Sequence, residues 1–168
     1  LNDNLGKRAE LKIKTWLDRP EDGYSFDRIP DQMNGFYNSC NICDFICFKA
    51  PYMYYIESKA TWAERFEWNR VTEFQRKNLL KKSKINNVYG LVIVLFATQR
   101  RAFVFQIEDI QKQMDDKIMS VNIDKIDKWT IPYSEIRMEV NPRKQIPDYV
   151  GEIEEYMLDL NQESEDEA

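Results

Sequence analysis

Asp44, Glu57 and Lys59 are the side chains whose types and spacing offer chemistry first. Glu57 and Lys59 stand two apart at the end of Tyr-Met-Tyr-Tyr-Ile, a segment that otherwise reads as core strand, so both project from one face. Asp44 sits between Cys43 and Phe45 in the preceding apolar segment, and a hairpin turning at residues 49–51 brings it toward Glu57. Two carboxylates held together in a half-buried place repel, and are costly unless a cation joins them. Oxygen ligands alone select a hard ion such as Mg²⁺, with Mn²⁺ as a substitute. A lysine beside that ion can position or help activate a water and can stabilise charge developing on a phosphate. Such a set serves phosphodiester hydrolysis. On these three residues alone a second reading stands level with it: an exposed Glu57–Lys59 pair on a solvated sheet face, with Asp44 a polar residue at a strand start.

The rest of the composition narrows the chemistry. The 168 residues include no histidine, which excludes Ser-His-Asp and Cys-His nucleophile pairs, His-ligated zinc or iron, and an imidazole base. The five glycines are scattered and form neither a P-loop nor a dinucleotide fingerprint. Cys40, Cys43 and Cys47 are too few for a structural zinc site and odd in number for a disulfide framework. Their Cys-x-x-Cys pair leads into a strand pattern instead of opening a helix, so small, partly buried thiols in a reducing, cytoplasmic setting are expected. The longest apolar run, residues 88–97, is too short to span a bilayer, and no membrane partner is expected.

Charge is unevenly placed. Residues 152–168 carry eight acidic and no basic side chains, so residues 1–151 hold 24 Lys and Arg against 21 Asp and Glu, a balance of +3 within a chain of net charge −5. Residues 1–160 read as a single domain and 161–168 as a disordered acidic tail. Between residues 61 and 90, seven basic side chains face three acidic ones. Arg70, Lys77, Lys81 and Lys84 line up as a basic stripe, either a solvated helix face or a surface that neutralises DNA phosphates without reading bases. Trp62 could stack on an unpaired base or pack at the rim of the core.

The elements that must position these groups follow from hydrophobic period. Helices are predicted over 4–17, 65–84, 110–117 and 148–160, and strands over 24–29, 42–48, 52–60, 88–97 and 102–107, with 118–147 irregular. The unbroken apolar run 88–97 suits a central strand buried on both faces. The order gives a mixed α/β fold in which antiparallel strands flank a central parallel one. Glu10 shares a helix face with Gly6, Ala9, Ile13, Trp16 and Leu17, and Gln75 shares one with Trp68, Val71, Phe74, Asn78 and Leu79. Each is either a satisfied core polar residue or a helix face misread by a position. Together with Asp44, Glu57 and Lys59 they come from four elements that could surround one pocket.

At these residues the sequence resembles the PD-(D/E)xK nuclease superfamily: Asn41-Ile42-Cys43-Asp44-Phe45 supplies the first acid and Glu57-Ser58-Lys59 the second motif. The stretch from Glu57 to Leu79, then Tyr89-Gly90-Leu91-Val92-Ile93, and Ile146-Pro147-Asp148-Tyr149-Val150 are similar to RecU-type Holliday junction resolvases and their phage relatives. The resemblance implies a restriction-endonuclease-like core of order α-βββ-α-β, a mixed sheet flanked by helices. It implies that Asp44 and Glu57 bind Mg²⁺, that Lys59 serves the attacking water, that Glu10 completes the acidic set and that Gln75 supports it. It also implies a homodimer acting on four-way DNA junctions in a bacterial or phage-infected cytoplasm. The long stalk of RecU proteins is missing, since only residues 30–41 occupy that interval, which makes the nuclease class firmer than junction specificity and leans toward a phage-encoded version. Action on linear or flap DNA, a non-catalytic DNA-binding protein of the same fold, and an unrelated interaction domain are the alternatives.

Overall fold

Leu5, Ala9, Ile13 and Leu17 recur at every fourth position and are all buried, which fixes the inward face of helix α1 (Asp3–Leu17). The structure is a computed structural model that describes residues 3–18, 20, 23–30 and 41–137. After α1 come strands β1 (Ser25–Arg28), β2 (Phe45–Lys49) and β3 (Tyr52–Thr61), then the short β4 (Arg65–Glu67) and a 3-10 turn at Trp68–Arg70. Helix α2 (Glu73–Ser83), strands β5 (Val88–Phe96) and β6 (Arg101–Gln106), and helix α3 (Ile107–Asp115) follow. The described part closes with β7 (Ser120–Asn122), a 3-10 segment at Ile123–Lys128, and β8 (Ser134–Arg137).

Six strands form one sheet in the order β1-β2-β3-β5-β6-β8, and β4 pairs with β7 apart from it. Only β3 and β5 run parallel, and every other neighbouring pair in the sheet is antiparallel. The fold is therefore mixed α/β with helices on the sheet, and α1-β1-β2-β3 precede α2-β5 as expected. The unbroken apolar run of β5 is explained by its two covers. Leu91, Ile93 and Leu95 pack in one core with α1, while Val92, Val94 and Phe96 pack in a second core with Leu79 of α2 and Ile107 of α3. Among the described residues, no helix is long and apolar enough to cross a membrane.

The predicted helix over 65–84 needs correction, because only its second half is helical. Phe66 and Trp68 alternate as a strand does, and both are fully buried. Burying each contributes roughly 1.5–3 kcal/mol, which outweighs a helix propensity of at most ~0.7 kcal/mol per residue. Thr72 then starts α2 with a capping box: Gln75 N donates to Thr72 Oγ1 (3.2 Å), and Thr72 N donates to Gln75 Oε1 (3.0 Å). As a result Phe74, expected to face the sheet, is 45% exposed.

Residues 118–147 were expected to be irregular, yet they supply β7 and β8, both paired with strands distant in sequence. Helix α3 begins directly after β6, three residues earlier than the periodicity predicts. The predicted helix over 148–160, the acidic tail 161–168 and Cys40 lie outside the described residues.

Gly90 sets how closely α2 approaches the sheet. A Cβ there would meet Ile107 Cγ2 at 2.8 Å and Leu79 Cβ at 3.2 Å.

Candidate active site

The hairpin register places the first two acids. Phe45 pairs with Ile56, and Asp44 N donates to Ile56 O at 3.0 Å, so Asp44 falls opposite Glu57. Phe45 and Ile56 face the α1 core, and alternation turns Asp44, Glu57 and Lys59 toward the α2 side. Asp44 Oδ2 accepts a 2.7 Å hydrogen bond from Ser58 N, which ties its carboxylate to β3.

Glu57 is 2% exposed. Its Oε1 accepts from Lys59 Nζ and from Gln75 Nε2, each at 2.6 Å. Its Oε2 is buried with no hydrogen-bond partner. Burial, and then the neighbouring Asp44 charge, push the Glu57 pKa up to about 7 against the opposing pull of Lys59 and Gln75. Leaving a buried polar atom unpaired costs about 1–3 kcal/mol, and more for a charged group. An all-oxygen pair with an orphaned, buried carboxylate oxygen is a donor set that fits a hard divalent ion. The capping box fixes the Gln75 amide: its Oε1 is committed to Thr72, so Nε2 is the atom turned toward Glu57.

Glu10 arrives from the other face of the sheet. It lines the same cavity of about 680 Å³ as Asp44, Glu57, Lys59 and Gln75, reaching it at the end of the sheet where β2 begins. Its carboxylate is engaged by Arg28, whose Nη2 and Nε donate to Oε2 at 2.5 and 3.0 Å. Among the described residues, no group of three or more Asp, Glu, Cys or His side chains is gathered closely enough to hold a metal ion. The structure thus brings Asp44, Glu57, Lys59 and Gln75 together, and leaves Glu10 at the cavity wall in an ion pair.

The basic stripe divides. Arg70 lies before α2, not on it; its Nη2 donates to Ala60 O at 2.7 Å, its guanidinium sits 4.9 Å from the Phe66 ring centre, and it lines the cavity. Lys77, Lys81 and Lys84 are exposed on and just after α2, outside the cavity wall, and Lys77 is paired with Glu73 at 2.6 Å. Cys43 and Cys47 are buried free thiols with pKa values pushed up to about 12, chiefly by burial, which favours the protonated form of both.

Sequence reasoning missed three contributors. The Thr72-x-x-Gln75 cap was readable as a capping-box pattern. The Ser58 amide and the Arg28 clamp depend on strand register, and carry no signal in residue type.

No family model matches this chain, and no curated protein matches it. One similar solved structure is Hjc, a Holliday junction resolvase from the archaeal hyperthermophile Archaeoglobus fulgidus. It shares 14% sequence identity and a TM-score of 0.45, over 62% of this chain and 78% of that one.

Proposed function

We propose that this chain is a metal-dependent endodeoxyribonuclease that hydrolyses DNA phosphodiesters, with Asp44 and Glu57 as the ligands of Mg²⁺ or, in its place, Mn²⁺. The observation that carries the reading is Glu57 Oε2: an acid oxygen buried without a partner, beside a second carboxylate, on a residue that lines the cavity. A divalent ion held there would polarise a phosphate oxygen and lower the pKa of a water.

The chain's own groups divide the remaining work. Gln75 and Lys59 hold Glu57 Oε1 from two directions, which leaves Oε2 aimed as the ligating atom. The Ser58 amide fixes the Asp44 carboxylate. An ammonium has three donors, so the Lys59 bond to Glu57 leaves others to orient the attacking water and to hold a phosphate oxygen as its charge grows. Arg70 at the cavity wall and Lys77, Lys81 and Lys84 beyond it supply phosphate contacts along the DNA. Glu10 joins the acidic set only when Arg28 lets go of it.

The finer reading, a homodimer resolving four-way junctions in a bacterial or phage-infected cytoplasm, is supported by the RecU-type resemblance of the motifs. The test is cleavage of a synthetic four-way junction and of a linear duplex, with and without Mg²⁺. Metal-dependent cutting that prefers the junction is expected, and it should vanish in D44N, E57Q and K59A while DNA binding persists. Equal cutting of both substrates would leave a nuclease without junction preference. Binding without any cutting would leave a non-catalytic DNA-binding protein.

A further inference from the structure

Trp62 follows Thr61, the last residue of β3, and is 52% exposed. It lines the cavity that holds Asp44, Glu57 and Lys59. The main chain beneath it is pinned on both sides, since Thr98 Oγ1 donates to Trp62 O (2.7 Å) and Ala63 N donates to Thr61 Oγ1 (3.1 Å). The other described indoles are spent on packing. Trp68 is fully buried between Phe66 and Phe105, and Trp129 meets Phe103 edge-to-face while its Nε1 donates to Asn122 O at 2.8 Å. Trp62 makes no ring contact among the described residues.

A large indole standing in water on a fixed backbone keeps apolar area exposed at a cost, and a flat partner would recover it. Trp62 lies three residue steps beyond Lys59, a span of roughly 10 Å, so the indole is within reach of a base close to the phosphate that Lys59 would contact. In a continuous duplex, neighbouring pairs cover both faces of every base. A side-chain ring can reach a base face only where the stack is interrupted, and there stacking is strong and tolerant of sequence.

We infer that Trp62 is a stacking platform that reads an unstacked base face beside the cleaved phosphate, making it a specificity-determining residue for DNA with an interrupted base stack. This rests on the nuclease reading above. The platform works through the indole face, whereas the acids work on the phosphate, so the two can fail separately.

The test compares wild type, W62A, W62L and W62F on three probes of equal length: a four-way junction, a gapped duplex and a continuous duplex, with Ca²⁺ replacing Mg²⁺ so that nothing is cut. For wild type, junction and gap should bind more tightly than duplex. The ratio should fall roughly tenfold or more in W62A and W62L, and W62F should keep most of it. With 2-aminopurine beside the branch, wild type should quench the probe and W62L should not. Leucine keeps apolar bulk without a ring face, so W62L and W62F decide the matter even if W62A folds poorly. An unchanged ratio, or equal losses on all three probes, would overturn the role of Trp62 while wild-type cutting in Mg²⁺ stands. A wild type that neither binds nor cuts DNA would overturn the nuclease reading and this inference with it.

Discussion

Two glutamates on the same sheet, Glu57 in β3 and Glu135 in β8, each pair with a cation, and they end differently. Glu135 is gripped in two prongs by Arg101, with Nε and Nη2 donating to separate oxygens at 2.6 and 2.7 Å. That grip holds the Arg101 pKa above its usual value, chiefly through the hydrogen bonds to Glu135. Glu57 is more deeply buried, yet both its donors, Lys59 and Gln75, converge on one oxygen and leave the other bare. The first arrangement is finished as it stands and reads as a structural clasp between neighbouring strands. The second leaves one buried carboxylate oxygen without a donor, and on that difference the proposed metal site rests.

Substitution should separate the two most sharply in turnover. E57Q is expected to lower Mg²⁺-dependent DNA cleavage by roughly a thousandfold or more, because it would remove the proposed metal ligand and with it several kcal/mol of transition-state stabilisation. E135Q should cut at close to the wild-type rate and lose only ~1 kcal/mol of stability. A rate assay beside a denaturant melt reads both. Comparable cleavage losses in the two variants would erase the distinction.

The next effect concerns Gln75, which serves the cap and the acid at once. Q75A should cost about 10–100-fold in cleavage through misplacement of Glu57, together with ~1 kcal/mol from the lost cap. T72A should show a similar stability loss with a far smaller kinetic one, and matched melts and rate measurements separate them.

The smallest effect is on pH dependence. Between 4.5 and about 7, the unfolded chain has already released the Glu57 proton while the folded chain retains it. The unfolded state then binds fewer protons, so metal-free stability should fall as pH rises through that window, being fully present below it. Mg²⁺ bound at the proposed site would reverse the preference by favouring the ionised acid, so it should raise the melting temperature more at about pH 8 than at about pH 5. Cleavage should climb over the same interval. Thermal melts of wild type and E57Q, with and without Mg²⁺, check this; the glutamine variant should be flatter in both series.

How much of this was written in residue types varies with distance along the chain. The two-residue spacing of Glu57 and Lys59, and the hairpin that returns Asp44 to them, are local, and local period is legible. The start of α2 is not legible from period, because Phe66 and Trp68 hold strand spacing while Trp68 and Val71 hold helix spacing, and the buried partners that choose between them come from β7 and β6. Strand β8 was invisible because its four residues acquire meaning only against β6, about thirty positions earlier. Glu10 was seen as an intruder on an apolar face, but its Arg28 partner is supplied by the register of β1, which no helical pattern reveals.

Gly90 carries a consequence of its own. It stands beneath Leu79, one turn along α2 from Gln75, and hydrogen is the only substituent that lets helix and strand meet there. A methyl group at that spot would act as a shim, wedging the helix outward and drawing the Gln75 amide off its acid. The seating of the Gln75 amide on Glu57 thus depends on a residue that has no side chain and does not line the cavity.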